Sequence, residues 1–323
     1  MQGRAKWNII DRNKAYSYME EQPVKCLVFG SLNIDHVYGV KEFIRPGETI
    51  SSTSYERFCG GKGFNQAIAL ARAGAPVYMA GAAGPDGEML LSVLRDEGVS
   101  LEYLQELDVP TGHAIIQVDS HGQNCIIIHS GANGQISREL IDRVLTGFES
   151  GDWLVLQNEI SNLSYLITAA HEKGLKILLN PSPFDKAFFT WELLRKVDCL
   201  ILNETEGAGL TGKDKGEDIL SALAAALPDT MCVLTLGTEG SMAYNAGEYY
   251  WQSAYLLKAV DTTAAGDTYT GYLLAQLISG AELPRAMEVA AVASGISVTR
   301  KGASSSVPQL EEVINELKNQ EEV

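Results

Sequence analysis

The alternation of short apolar runs with amphipathic segments is the feature that most constrains the fold of this chain. Strands that are apolar on both faces are typical of buried parallel sheets covered by crossover helices. The apolar runs span residues 26–30, 77–81, 153–157, 177–180, 199–202 and 232–236. Helical periodicity covers residues 63–73, 86–97, 137–147, 163–173, 216–227, 268–278, 284–298 and 309–318. The sequence therefore predicts an α/β fold, a three-layer α/β/α sandwich with a mostly parallel central sheet.

Two segments, residues 36–58 and 114–130, interrupt this rhythm. Their alternating polarity and the turn pairs Pro46-Gly47 and His121-Gly122 indicate hairpin strands. We predict that they form a small β-sheet that projects from the core as a lid; a β-meander continuing the central sheet is the alternative. The domain would then cover residues 23–320 with the lid strands inserted, and the polar residues 1–22 would be an N-terminal extension.

Composition excludes several classes of function. Lys and Arg number 25 against 41 Asp and Glu, a net charge of −16, which argues against a broad surface for nucleic acid or anionic membrane. No apolar run approaches the ~20 residues that a membrane span requires. The five cysteines are scattered, several of them within apolar runs, so we expect reduced core thiols and a cytoplasmic protein.

The segment 261–267, Asp-Thr-Thr-Ala-Ala-Gly-Asp, places a carboxylate just after three small residues at a predicted helix start. Ala264, Ala265 and Gly266 leave their backbone N–H groups open to an anion, which the helix dipole also favours. Asp267 would stand beside that anion and could accept the proton of a hydroxyl that attacks a phosphoryl group. An ordinary N-capping aspartate is the alternative.

Residues 59–65, Cys-Gly-Gly-Lys-Gly-Phe-Asn, precede an apolar helix and could let the backbone approach a small polar ligand. Lys62 could bring positive charge near a phosphate or be a solvated lysine, and Asn65 offers both a donor and an acceptor. The spacing is not that of a Walker motif.

Polar side chains also follow the first and third apolar runs, where α/β sheets bind ligands. Asn33 and Asp35 suit the hydroxyls of a polyol, and Glu159 falls at a similar strand end. A turn stabilised by Asx side chains explains the first pair equally well.

Three later segments have the composition of a nucleotide site. Residues 203–206, Asn-Glu-Thr-Glu, could act on a triphosphate through Mg²⁺, or cap a helix. Residues 235–240, Thr-Leu-Gly-Thr-Glu-Gly, could touch phosphate or nucleotide sugar, or form a plain hairpin turn. The small residues 290–295 leave room for adenine or serve close helix packing, and the polar loop after them could present carbonyls to a cation.

Taken together and in this order, the motifs resemble those of the ribokinase branch of the PfkB carbohydrate-kinase family, from about residue 25 to residue 317. The matching strings are Gly-Ser-Leu-Asn-Ile-Asp (30–35), Pro-Gly-Glu (46–48), Gly-Gly-Lys-Gly-Phe-Asn (60–65), Ser-Gly-Ala-Asn (130–133), Asn-Pro-Ser-Pro (180–183), Asn-Glu-Thr-Glu (203–206), Asp-Thr-Thr-Ala-Ala-Gly-Asp (261–267) and Val-Thr-Arg-Lys-Gly-Ala (298–303).

The resemblance implies an ATP-dependent kinase that phosphorylates the primary hydroxyl of a pentose, most simply D-ribose, with Asp267 as general base. The amides of residues 264–267 would form the anion hole. The sugar site would comprise Asn33, Asp35, Gly61, Lys62, Gly63, Asn65 and Glu159. The nucleotide and Mg²⁺ site would comprise Asn203, Glu206, Thr235, Gly237, Gly240 and Ala291. An activating K⁺ would be held by Asp261, Thr263, Ser297, Arg300, Gly302 and Ser306, largely through backbone oxygens. By analogy with the family, the lid would join two copies in a homodimer.

The chain departs from the family pattern at Phe64, Tyr269-Thr270 and Ala291, which bears on the substrate rather than on the reaction. A family kinase for another sugar, a nucleoside or a sugar phosphate is the nearest alternative. A non-catalytic sugar or nucleotide sensor is the alternative from another class, although a sensor would not need to retain all these motifs. A dinucleotide-dependent dehydrogenase is disfavoured, because no Gly-x-Gly-x-x-Gly follows the first strand.

Overall fold

The computed structural model describes residues 24–321. Within this range the strands are β1 Cys26–Phe29, β2 Asn33–Gly39, β3 Ser54–Gly60, β4 Val77–Ala83, β5 Ser100–Glu106, β6 Gly112–Val118, β7 Asn124–His129, β8 Trp153–Gln157, β9 Lys176–Asn180, β10 Cys199–Asn203, β11 Met231–Thr235, β12 Gly240–Asn245 and β13 Glu248–Ser253. The helices are α1 Lys62–Arg72, α2 Glu88–Asp96, α3 Arg138–Leu145, α4 Leu163–Lys173, α5 Trp191–Leu194, α6 Glu204–Thr211, α7 Gly216–Ala226, α8 Ala265–Ile278, α9 Leu283–Ser297 and α10 Leu310–Glu321. The predicted N-terminal extension, residues 1–22, lies outside the described residues.

The central sheet has nine strands in the order β13-β12-β11-β10-β9-β8-β1-β4-β5. All neighbouring pairs are parallel except β11–β12 and β12–β13, which are antiparallel. The predicted α/β fold with a mostly parallel sheet is therefore confirmed. The sequence interpretation missed β5 and the β12–β13 hairpin. β5 and β13 are partly exposed and carry many polar residues, and β12, although more buried, is a short mixture of polar, small and apolar residues.

Each face of the sheet carries its own hydrophobic core, which makes the three layers. Along β1, Cys26 and Val28 pack with α1, α2, α8, α9 and α10, whereas Leu27 and Phe29 pack on the other side with α3, α4 and α7. All four of these side chains are fully buried. The alternation follows from the two-residue period of a strand and explains why the buried strands are apolar on both faces.

The lid is a separate four-stranded sheet in the order β3-β2-β6-β7, so the prediction of a projecting sheet is confirmed and the meander alternative is wrong. The two predicted hairpins are joined to one another by parallel pairing of β2 with β6. Gly47 and Gly122, at the predicted turns, have φ of 83° and 78°, values that favour glycine.

The structure corrects two details. Cys125 lies exposed on β7 and is not a core thiol, whereas Cys26, Cys199 and Cys232 are buried. Phe64, which the sequence interpretation placed beside the ligand loop, is fully buried in the core between α1 and the central sheet. Phe64 therefore contributes to packing.

Candidate active site

The carboxyl ends of five neighbouring strands bring polar side chains to one edge of the central sheet. Gln157 and Asn180 pair in register at the ends of β8 and β9, and Asn203 pairs with Thr235 at the ends of β10 and β11. The loop after β1 completes this edge. Polar residues at these ends are what a ligand site on an open α/β sheet requires, because the strands themselves are buried and apolar.

Asp267 lies in the first turn of α8 and is only 6% exposed. Its two carboxylate oxygens accept hydrogen bonds from side-chain amides of α1: Asn65 Nδ2 donates to Oδ2 at 3.1 Å, and Gln66 Nε2 donates to Oδ1 at 2.9 Å. The N-termini of α1 and α8 therefore meet at one carboxylate. Asp267 does not cap its own helix, so the capping alternative is wrong.

The N-terminus of α8 is open to an anion. Its N-cap, Ala264, has a left-handed φ of 60° and provides no side-chain cap. Within residues 24–321, the N–H groups of Gly266 and Asp267 have no protein acceptor, whereas Ala265 N donates to the carbonyl of Thr262 at 3.3 Å. Apart from Gly266 itself, its chain neighbours and the adjacent backbone of α8, no atom of residues 24–321 lies within 4 Å of the position that a Cβ on Gly266 would occupy. Unpaired amides at a helix start are the usual donors to phosphate oxygens.

The predicted sugar residues cluster below the lid. Asn33 and Glu159 line a cavity of about 440 Å³ together with Ile128 of lid strand β7. Burial, reinforced by the charge of Glu159, raises the pKa of Asp35 to about 7. Asp35 packs against Gly60, where a Cβ would overlap its carboxylate.

Glu159 also has a structural role that the sequence did not show. One of its carboxylate oxygens accepts from the hydroxyl of Ser31 and, at 2.9 Å, from the backbone N–H of Lys62, the first residue of α1. Glu159 therefore occupies the N-terminus of α1, which leaves the N-terminus of α8 as the open one. Gly61 precedes α1 with φ 92°. A Cβ on Gly63 would come within 2.5 Å of Ser31 N, so this glycine permits close packing of α1 on the loop after β1.

Lys62 borders a second cavity, of about 220 Å³, and is not among the residues that line the sugar-side cavity. Burial alone would lower the pKa of Lys62. The carboxylates of Asp267, Glu159 and Glu206 outweigh that effect and hold its pKa above the usual value. Lys62 therefore lies among three carboxylates, and this cavity combines a partly buried cation with the open N-terminus of α8.

Asn203 and Glu206 border the same cavity, and they form a capping box at the start of α6. Asn203 Oδ1 accepts from the N–H of Glu206 at 2.9 Å, and a carboxylate oxygen of Glu206 accepts from the N–H of Asn203 at 2.9 Å. The capping alternative is thus realised, but Glu206 is 5% exposed and still borders the cavity. Within residues 24–321, no group of three or more His, Cys, Asp or Glu side chains is arranged to hold a metal. A Mg²⁺ would therefore need oxygens of the triphosphate and of water besides these residues, which is its usual preference.

A third, mostly apolar cavity of about 270 Å³ adjoins the second and shares Thr235, Ala265 and Gly266 with it. Gly237, in the loop between β11 and β12, and Gly240, the first residue of β12, form one side, so the predicted hairpin and the predicted contact loop are one element. Ala291 of α9 and Tyr269 of α8 also border the cavity. Tyr269 is fixed by a hydrogen bond of 2.8 Å between its hydroxyl and that of Ser241.

The six residues of the predicted cation site lie in two adjacent segments, 261–263 and 297–306. Asp261 accepts from Thr263 N at 3.0 Å, from Thr263 Oγ1 at 2.6 Å and from Gly302 N at 3.0 Å. Burial by itself would raise the pKa of Asp261, but these hydrogen bonds hold it below the usual value. The Arg300 side chain pairs with Glu312, so only its backbone could serve a cation. Ser297 and Ser306 are fully buried, and their hydroxyls donate to the carbonyls of Ser294 and Ala303.

Four site residues were missed by the sequence interpretation: Ser31, Gln66, Asn133 and Gln157. Asn133 Nδ2 donates to Asn33 Oδ1 at 2.8 Å, and its Oδ1 accepts from Leu32 N at 3.0 Å, which fixes the loop after β1. Gln66 and Gln157 are fully buried. A glutamine on the apolar face of a helix was the available signal, because buried polar groups require partners.

Fold and site together define a class: an α/β sandwich that places a buried carboxylate, a lysine and an open helix N-terminus beneath a β-sheet lid. The sequence matches the family model described as pfkB family carbohydrate kinase over residues 24–310. It is 33% identical to the ribokinase of Haemophilus influenzae over 90% of this chain and 98% of that one. The chain belongs to the pfkB family of carbohydrate kinases.

Solved structures agree with this assignment. The ribokinase of Thermotoga maritima is similar with a TM-score of 0.83 and 33% identity, over 91% of this chain and 99% of that one. The ribokinase of Arabidopsis thaliana, solved in complex with ribose and ATP, has a TM-score of 0.83 and 31% identity, over 92% of this chain and 99% of that one.

Proposed function

We propose that the protein transfers the γ-phosphoryl group of ATP to the primary hydroxyl of D-ribose, giving D-ribose 5-phosphate and ADP. The observation that carries the proposal is the position of Asp267, in the first turn of a helix whose N-terminal amides are open and face the cavity that holds Lys62. The proposed base and the proposed anion hole thus belong to the same helical turn. The similarity to ribokinases over nearly the whole chain supports the choice of acceptor.

The mechanism assigns one role to each part of the site. Asn33, Asp35 and Asn65 bind the sugar hydroxyls, and Asp267 accepts the proton of the primary hydroxyl as its oxygen attacks the γ-phosphorus. The new oxygen–phosphorus bond forms as the bond from the γ-phosphorus to the bridging oxygen breaks, and ADP leaves with those electrons. The amides at the start of α8 and the Lys62 ammonium stabilise the charge of the transferring group.

The nucleotide would lie in the apolar cavity beside Ala291, with its phosphates directed toward Thr235 and Gly266. Asn203 and Glu206 would hold Mg²⁺, whose contribution is to neutralise the phosphate charge. The paired segments 261–263 and 297–306 would hold K⁺ through backbone carbonyls. Hydrogen bonds from Val260 N and Asp261 N to the carbonyl of Val298 already join them next to Ala264.

Replacement of Asp267 tests the proposal. Asp267→Asn keeps the shape of the side chain and removes the proton acceptor, so kcat should fall by about 10²–10⁴-fold, while D-ribose still binds in calorimetry. Asp218→Asn, at an exposed position of helix α7, is the control and should leave kcat unchanged. Wild-type turnover in Asp267→Asn would overturn the mechanism.

The acceptor is tested separately by coupled ADP release. We would compare D-ribose with 2-deoxyribose, other sugars, nucleosides and phosphorylated sugars at equal concentrations. D-ribose should give the highest kcat/KM. If a phosphorylated sugar or a nucleoside gave the highest kcat/KM, the proposed kinase activity would stand and D-ribose would be wrong as the acceptor.

The lid supports a homodimer as part of the proposal. Ile126 and Ile128 are 51% and 52% exposed and lie two residues apart on one face of the edge strand β7. Contiguous exposed apolar residues are typical of an interface. Light scattering should give twice the chain mass, and Ile126→Asp should reduce that mass. A monomeric wild type would refute the dimer.

No helix within residues 24–321 is long and apolar enough to cross a membrane. A cytoplasmic location, consistent with five free cysteines, is also part of the proposal.

A further inference from the structure

A chain of three buried side chains runs from the end of β8 to the carboxylate of Asp267. Gln157 Nε2 donates to Gln66 Oε1 at 2.7 Å, and Gln66 Nε2 donates to Asp267 Oδ1 at 2.9 Å. Gln66 Nε2 also donates to Asn180 Oδ1 at 3.4 Å. The two glutamines are fully buried, and neither borders the sugar, phosphate or nucleotide cavity.

The carboxylate of Asp267 determines how the two amide groups in this series of hydrogen bonds are oriented. An ionised Asp267 can only accept, so Gln66 must direct its NH₂ group toward it, and its carbonyl oxygen must then face Gln157. Gln157 in turn directs its own NH₂ toward Gln66. The remaining oxygen, Gln157 Oε1, is buried without a hydrogen-bond partner in the described part of the chain. This unpaired oxygen is the cost of the arrangement, because an unpaired buried acceptor is destabilising.

We infer that Gln66 is a positioning residue for the general base, and that Gln157 fixes the orientation of its amide. The inference rests on the proposed role of Asp267. Asn65 holds the other oxygen, Oδ2, so Gln66 supplies the second of the two contacts that fix the plane of the carboxylate. A carboxylate held by one contact rotates, and misplacement of a reacting group by about 1 Å can lower turnover by about 100-fold.

The first test replaces Gln66 by methionine, which has a similar length and no donor. Gln66→Met should lower kcat by about 10- to 100-fold, and KM for D-ribose and ATP should stay within about threefold, because Gln66 borders neither cavity. Gln276→Met, a half-buried change in α8 two turns from the site, is the control and should leave kcat unchanged. A wild-type kcat in Gln66→Met, or a loss confined to KM, would overturn the inference.

The second test reverses the orientation of the Gln66 amide by a substitution at position 157 that keeps the shape of that side chain. In Gln157→Glu the side chain at 157 can only accept, so Gln66 would turn its NH₂ group toward it and present its oxygen to Asp267 Oδ1. Two facing acceptors repel, and kcat should fall at least as far as in Gln66→Met. In the double variant Gln66→Met/Gln157→Glu no further loss is expected, because the effect passes through Gln66. Fully additive losses would show that Gln157 acts by another route.

A third comparison separates this inference from the proposed function and does not depend on the folding of Gln157→Glu. In the Asp267→Asn background, Gln66→Met should leave the residual turnover unchanged, because there is no base to position. Wild-type turnover in Asp267→Asn alone would overturn the proposed function. A large loss in Asp267→Asn together with an equal loss from Gln66→Met in both backgrounds would overturn only the inference. Thermal unfolding of each variant checks that the folded fraction is the same.

Discussion

The carboxyl group of Asp35 makes the stability of the unliganded protein depend on pH in a direction that can be stated in advance. Burial, and then the charge of Glu159, raises the pKa of Asp35 to about 7 in the folded protein. In an unfolded chain an aspartyl group ionises near pH 4. The folded state therefore favours the protonated carboxyl, and this contribution to stability is complete below about pH 4 and is lost as the pH rises to about 7.

The size of the effect follows from the interval between the two pKa values. Each pH unit corresponds to about 1.4 kcal/mol, so full ionisation costs the folded state about 4 kcal/mol at most. The Asp35 residue is only partly buried, so water screens part of this cost, and we expect about 2–3 kcal/mol. Asp35→Asn keeps the shape and removes the charge. About three quarters of this change falls between about pH 4.5 and about pH 8, so the free energy of unfolding of Asp35→Asn relative to wild type should rise by about 1.5–2 kcal/mol over that range.

Urea unfolding followed by tryptophan fluorescence over that pH range measures this difference directly. Asp108→Asn, at an exposed position of the loop before the lid strand β6, is the control. It measures how the removal of an exposed carboxylate changes the pH dependence of the free energy of unfolding. D-ribose should stabilise the wild type more at high pH, because sugar hydroxyls donate to an ionised carboxylate, and should stabilise Asp35→Asn much less. If the free energies of unfolding of wild type and Asp35→Asn changed with pH in parallel, the reasoning would be refuted.

Three further predictions concern the helices and loops around the site. Gly271→Ala would place a Cβ that overlaps Ala69 of α1 and lies 2.9 Å from the Ala69 carbonyl carbon. Urea unfolding should therefore show a free energy of unfolding lower by about 1–3 kcal/mol. An unchanged free energy would mean that α1 and α8 can separate freely. Ala264→Gly should stabilise the protein by about 0.5–1 kcal/mol, because glycine adopts a left-handed φ of 60° without strain. The comparison variant Ala246→Gly, at φ 50°, should behave in the same way. A lower free energy of unfolding in both variants would contradict the strain argument. Titration with K⁺ against a large inert cation should raise kcat, and a flat response would remove the proposed cation site.

The backbone positions of the site could be predicted because each depends on a local signal. Gly61, Asn203 and Asp267 all lie next to an apolar run or an amphipathic helix, and the parallel arrangement of the strands then brings them to one edge. The lid was recognisable from turn pairs and alternating polarity. The same signals failed for β13, whose strand carries glutamate, glutamine and serine beside exposed aromatic residues.

The side-chain partners could not be predicted, because they depend on contacts between residues far apart in sequence. Gln66 and Gln157 are separated by 91 positions, and Gln66 and Asp267 by 201. Glu159 is the clearest example: its type and strand-end position suggested a sugar ligand, but its bond to the N–H of Lys62 appears only when α1 packs against β8. Which nitrogen or oxygen of an amide faces a carboxylate is decided by the whole network rather than by any one residue.

The balance of charge explains why the phosphate side of the site is built from backbone groups and one lysine. The chain has a net charge of −16, so a triphosphate meets repulsion unless the site supplies its own positive potential. Three helix N-termini converge there, but Glu159 occupies that of α1 and a capping box satisfies that of α6. The open N-terminus of α8 and the Lys62 ammonium are then the groups that can attract phosphate, and both lie within reach of Asp267. Carboxylate and anion site share the first turn of α8, so a movement that displaced one would displace the other, and the packing of α8 on α1 sets the alignment of both.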